Sequence, residues 1–218
     1  MATFVSRPSY RSHTVHSSTT TALTTQGSNV KPVLIFAWND FLCPTTYLSQ
    51  RKWNNHLQKS EKASFAKLDN EIERILIEAS RMGLVFVLCE SNAATIESLC
   101  HKFLPRTTSL FSSKQHQSKI HLICAATAIT PKWHAQIIHS ICTRNPYLVN
   151  SNIMMIVCGR DVHRSSLLEV AKYVPMLPKV VKSSQLQPTI TQAATMLKSI
   201  TECLSVAVNH TESLDLSI

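Results

Sequence analysis

A chain of 218 residues, 44% of them hydrophobic, can bury one sizeable core, and it holds no apolar run near the roughly 18 residues of a membrane span. Its seven cysteines are odd in number and none follows CxxC spacing, which argues against a zinc site and a disulfide framework and favours a reducing compartment. The net charge of +9 argues against a basic partner and favours an acidic surface or a polyanion.

Residues 1–30 are rich in Ser and Thr and lack an apolar period, so they read as an extended arm ahead of one α/β domain over 31–218. The arm is free of acidic residues and carries Phe4, Arg7, Tyr10 and Arg11. The primary expectation is an arm ordered against a partner through these side chains. A mitochondrial presequence, also acid-free and arginine-bearing, is the alternative. Pro32 to Phe36 then predicts a buried strand. Glu61 to Met82 predicts a helix with Phe65, Leu68, Ile72, Ile75, Leu76 and Ala79 on one face, and Gly83 as its stop. Leu84 to Cys89 is a second strand, and Ala94 to Phe103 a helix ending before Pro105. Ile120 to Ala125 is a third strand, and Pro131 opens the next helix. Asn152 to Cys158 is a fourth strand, Val162 to Tyr173 a helix, and Lys179 to Lys182 a short strand. Pro188 begins a last helix reaching about Val208. Apolar strands alternating with helices predict a three-layer sandwich around a mostly parallel sheet.

The charges are unevenly distributed. No Asp or Glu occurs from Met1 to Asn39, nor from Ser98 to Arg160. The second stretch holds Lys102, Arg106, Lys114, Lys119, Lys132, Arg144 and Arg160. Of these, Lys102, Arg106, Lys114 and Lys119 are the candidates for a partner-binding face.

In a parallel sheet the ligand crevice lies beyond the carboxyl ends of the strands. The residues expected there include Ala37 and Asn39, Cys89 to Asn92, and Gly159 to Asp161. Asp40 and Asp161 could hold Mg²⁺, but both stand where turn or helix caps are expected, and capping is the preferred reading. Cys89 reads as a small buried hydrophobe rather than a reactive thiol. His134, in the first turn of a helix, reads as a surface residue rather than a base. His13 and His16 lack a third metal ligand. Asn209-His210-Thr211 matches a glycosylation sequon without a signal-peptide pattern to support it.

These segments resemble the haloacid dehalogenase-like superfamily, in a protist group whose first motif reads approximately FDWDDTLLPT. Here the segment is Phe36-Ala37-Trp38-Asn39-Asp40-Phe41-Leu42-Cys43-Pro44-Thr45. The resemblance puts the family's nucleophilic aspartate on Ala37 and its acid/base aspartate on Asn39. It puts the phosphate-holding hydroxyl on Cys89 in Val87-Leu88-Cys89-Glu90-Ser91. The family's lysine falls on His134 in Pro131-Lys132-Trp133-His134. Its metal-binding aspartate falls on Arg160 in Ile156-Val157-Cys158-Gly159-Arg160-Asp161, whose guanidinium would pair with Asp40 or Asp161, or else bind a phosphate or a partner carboxylate. A one-residue shift would restore Asp161 as a ligand but no shift restores a nucleophile at Ala37. Ala37 cannot attack phosphorus, and Asn39 cannot exchange a proton near neutrality.

The resemblance therefore implies a helical segment after strand one, a C-terminal helix, and a pseudophosphatase without a cofactor. The expected role is a structural or scaffolding subunit on an acidic surface, such as tubulin in an axonemal microtubule of the cytoplasm. The alternatives are an RNA-associated subunit, as in an organellar (mitochondrial) ribosome, and a residual phosphatase or phosphometabolite-binding protein. No aromatic stacking platform or nucleic-acid motif supports the RNA reading.

Overall fold

Strand β1 (Lys31–Ala37) has the sequence KPVLIFA, and Val33, Leu34, Ile35 and Phe36 are each fully buried. A strand apolar on both alternating faces needs cover on both. The computed structural model describes residues 30–51, 57–114, 116, 118–145, 148 and 152–218. Phe4, Arg7, Tyr10 and Arg11 lie outside the described residues, as does nearly all of the predicted arm.

After β1 come α1 (Thr45–Ser49), α2 (Lys59–Met82), β2 (Leu84–Cys89), α3 (Ala93–Phe103) and α4 (Pro105–Ser112). Then follow β3 (Ile120–Cys124), α5 (Trp133–Arg144), β4 (Ile153–Gly159) and α6 (Asp161–Val170). The chain closes with β5 (Met176–Lys182), α7 (Ile190–Asn209) and β6 (Leu214–Ser217). The six strands lie in the order β3-β2-β1-β4-β5-β6, and every pairing is parallel. This is a Rossmann-like three-layer sandwich. Leu34 and Phe36 face a core built with α2, α3, α4 and α7. Val33 and Ile35 face the opposite core, built with α5 and α6. No helix among the described residues is long and apolar enough to cross a membrane.

The predicted face of α2 is the buried one: Leu68, Ile72, Ile75, Leu76 and Ala79 are sealed, and Phe65 nearly so. Gly83 ends α2 in an extended conformation rather than a left-handed one. Its lack of a side chain matters because a Cβ there would stand 2.1 Å from the Pro32 carbonyl oxygen. The last helix starts at Ile190, behind a capping box of Thr189 and Gln192. Helix α6 starts at Asp161 and stops at Val170, short of the predicted Tyr173, since the next residues continue as turns. Helix α5 likewise starts at Trp133 rather than Pro131.

The predicted elements omit α4 and β6, each of which depends on distant partners. Helix α4 is anchored by Asp69 of α2. Its buried carboxylate accepts the Arg106 N–H at 2.8 Å, the Thr107 N–H at 2.9 Å and the Thr107 hydroxyl at 2.7 Å. A carboxylate at a helix N-terminus satisfies orphan N–H groups and complements the dipole. Lys179 does the reverse for α7. Its ammonium, enclosed within β5, donates to the carbonyls of Ala207 at 2.7 Å and Val208 at 2.9 Å, and to that of His210. Burial pushes this amine below its ordinary value.

Lys179→Met keeps the stem volume but strands those carbonyls. It should lower unfolding free energy by about 2–3 kcal/mol. Urea denaturation reads this as a lower midpoint with an unchanged slope. A midpoint equal to that of the parent protein would show that water replaces the ammonium without loss.

Candidate functional site

Because β1 lies between β2 and β4, the segments leaving those neighbours converge over its carboxyl end. The loop after β1 is tight. Leu42 N–H donates to the Ala37 carbonyl at 3.1 Å, and Cys43 N–H to that of Trp38 at 2.9 Å. Asp40 sits at φ 55°, a left-handed conformation that Asp tolerates better than most residues. Its carboxylate accepts the Thr46 N–H at 2.8 Å and the Thr46 hydroxyl at 2.6 Å. Asp40 is therefore the anchor of α1. Asn39 accepts the Glu90 N–H at 2.9 Å through Oδ1 and thereby clasps the β1 loop to the end of β2.

Glu90, just past β2, is the hub. Its Oε1 lies 2.5 Å from Arg160 Nη2 and 3.2 Å from His134 Nε2. The Glu90–Arg160 pair thus bridges the ends of β2 and β4 across the end of β1, where Ala37 is buried. His134 and His163 are 2% and 1% exposed, and their rings meet edge to face with centroids 4.5 Å apart. Arg160 N–H donates to His163 Nδ1 at 3.2 Å, which leaves the proton of the neutral ring on Nε2. Gly159 makes room for that ring, since a Cβ there would stand 2.9 Å from His163 Cγ.

Burial, reinforced by the charges of His134 and Arg160, pushes His163 down to about 3, so the ring is neutral. Burial alone would raise Glu90, but contact with His134 and the charge of Arg160 outweigh it and hold the carboxylate below its ordinary range. The neighbouring Cys124 thiol and burial push the Cys89 thiol far up, so it is not a thiolate nucleophile. His134 Nε2 and Arg160 Nε are both buried without a hydrogen-bond partner among the described residues.

Several expectations need correction. His134 is not a surface residue, because the first turn of α5 packs its ring against His163 of α6 and beside Glu90. Arg160 pairs with neither Asp40 nor Asp161, because Glu90 reaches it across the strand between them. Asp161 is largely exposed and meets Lys182 at 3.0 Å, while Asp40 is occupied by α1. Ala37, Asn39, Cys89 and Arg160 do stand at the strand ends as expected. Glu90 as a hub and His163 went unrecognised in the sequence. His163 alone carried a signal, a polar residue at the third position of a helix after a strand-end glycine.

Lys102 and Arg106 line one groove of ≈ 400 Å³ with Lys62, Phe65 and Phe103. Phe65 and Phe103 stack there at 4.5 Å, and the Lys102 ammonium lies 5.1 Å from the Phe103 ring centre. Arg106 pairs with Glu73 at 2.9 Å. Lys114 and Lys119 lie exposed on the connection between α4 and β3. Comparison of the chain with protein-family models, curated proteins and solved structures finds no match.

The neutral His163 has a readable consequence. Between its native value of about 3 and its ordinary 6.5, the unfolded chain binds a proton that the native ring does not. Stability should therefore rise with pH through that window, by at most about 1.4 kcal/mol per pH unit for this group. Glu90 adds to the same trend below its ordinary 4.5. Denaturation between pH 7 and 4, with EDTA present, should show a shallower pH slope in His163→Asn. An unchanged slope would mean that the native ring is protonated.

Proposed function

We propose that this chain is a catalytically inactive haloacid dehalogenase-like domain that serves as a structural subunit on an acidic partner surface. The observation that carries this reading is the Glu90–Arg160 bridge across the end of β1, above a buried Ala37. A phosphoryl-transfer site needs a nucleophile, an acid/base and a metal-bound phosphate there. This chain presents a methyl group, an amide engaged with the backbone, and a guanidinium. The basic face supports the binding half of the reading. Lys102, Lys114 and Lys119 have no carboxylate partner among the described residues.

The acidic surface of a microtubule, as in an axoneme, is the setting this charge pattern favours. An RNA-bearing assembly, as in a mitochondrial ribosome, is the second reading, favoured by the same exposed cations, Lys114 and Lys119 among them. Partner, compartment and the contribution of Phe4, Arg7, Tyr10 and Arg11 belong to this proposal.

With Mg²⁺ and generic phosphate monoesters, the purified chain should show no turnover above a denatured control. Turnover abolished by EDTA would end the pseudophosphatase reading. Co-sedimentation with purified microtubules and with ribosomal RNA tests the partner. Binding to microtubules should weaken with salt, as exposed charges are screened, and weaken further in a Lys102→Glu, Lys114→Glu, Lys119→Glu triple variant. Retention by RNA alone would favour the second reading, and salt-insensitive binding would discard the basic face.

A further inference from the structure

We infer that Glu90, His134 and His163 form a binding site for a zinc-class transition-metal dication, guarded by Arg160. One ligand atom from each residue lies within 4.8 Å of the other two. The three come from the end of β2, the first turn of α5 and the first turn of α6, so no spacing in the sequence could reveal them. Two imidazoles and a carboxylate form a donor set suited to Zn²⁺, with a fourth position left open. Mg²⁺, which demands a shell of oxygen ligands, fits this set poorly.

Ligand atoms around a tetrahedral Zn²⁺ stand about 3.3 Å apart, given bonds of about 2.0 Å. His134 Nε2 and Glu90 Oε1 are already separated by 3.2 Å. The one ion-pair contact of His134 among the described residues is with Glu90, its fellow ligand. The His134 ring is 2% exposed, and its Nε2, beside Glu90, has no hydrogen-bond partner among the described residues. A buried, unsatisfied donor atom is unfavourable unless something else occupies it. The Glu90 and Arg160 side chains remain 21% and 26% exposed, which gives an entry path.

Beyond the His134–Glu90 contact itself, the two contacts that a metal must displace belong to Arg160. The Arg160 guanidinium holds Glu90 Oε1, and the Arg160 N–H holds the His163 lone pair at 3.2 Å. Movement of the Arg160 side chain would free the carboxylate, whereas the contact to His163 runs to the backbone N–H. The fixed positive charge of that side chain opposes the metal while it stays.

The experiment uses the full chain, stripped with EDTA and desalted. It is titrated with Zn²⁺ against a chromophoric chelator, and separately with Co²⁺. The proposal expects one Zn²⁺ per chain and a higher melting temperature with Zn²⁺ but not with Mg²⁺. Co²⁺ should give the visible absorption of a low-coordinate nitrogen and oxygen site, without thiolate charge transfer. His134→Ala should abolish stoichiometric binding. Glu90→Gln, nearly isosteric and less exposed to misfolding, should weaken it by about tenfold or more. Arg160→Gln should tighten it by about tenfold. The proposal falls if the parent protein binds no stoichiometric Zn²⁺, even when Arg160→Gln does. It falls equally if binding is unchanged in Glu90→Gln, or if the Co²⁺ spectrum reports cysteine ligands.

Discussion

The double burial of β1 is the constraint on which the rest of this structure depends. Val33, Leu34, Ile35 and Phe36 expose nothing to water, and each face needs its own helical layer. Burying such a run contributes on the order of 2 kcal/mol per large side chain. It also fixes β1 between β2 and β4, with registers Val33 to Leu84 and Val33 to Met155. The close approach of Gly83 to Pro32 locks the α2–β2 turn onto the amino-terminal end of that strand. At the other end, the segments after β2 and β4 must pass over Ala37, and that convergence brings Glu90 to Arg160.

The charges enclosed by this packing are matched locally. Asp40 anchors α1, Asp69 anchors α4, and Lys179 closes the end of α7. Each lies at a helix terminus, where backbone groups would otherwise lack partners and where the dipole favours that sign of charge. The strand-end cluster differs. It retains a buried imidazole nitrogen and a buried guanidinium nitrogen without hydrogen-bond partners among the described residues, so its polar groups are only partly satisfied. Interiors seldom leave such atoms unmatched, and two of the three among the described residues fall in this cluster, the third being Glu71 Oε2 of α2.

The surface polarity follows from where the acids are used. Helix α2 carries much of the chain's negative charge, but Glu61 closes its own capping box and Asp69 faces inward. Glu71, Glu73 and Glu78 meet Arg74, Arg106 and Arg81. Those acids are therefore neutralised nearby. Lys102, Lys114 and Lys119 remain as an excess of positive charge in solution. Weak pairing of exposed ions makes such a face more relevant to association than to stability.

The sequence by itself determined the layered α/β class, because apolar strands and the α2 stripe follow simple periods. Val33 to Phe36 and Phe65 to Ala79 show those periods without reference to any other part of the chain. It also determined that Ala37 offers no nucleophilic atom and that Asn39 exchanges no proton near neutrality, which side-chain identity alone decides. Tertiary structure decided what identity could not. Helix α4 owes its start to Asp69, 38 positions before Thr107, and short β6 pairs with β5 across α7. His134 looked like a surface residue because its first-turn position says nothing about the helix packed against it. Glu90, His134, Arg160 and His163 became a cluster only when the sheet order stacked three strand ends side by side. Such proximity depends on long-range pairing and register, which no local pattern of residues encodes.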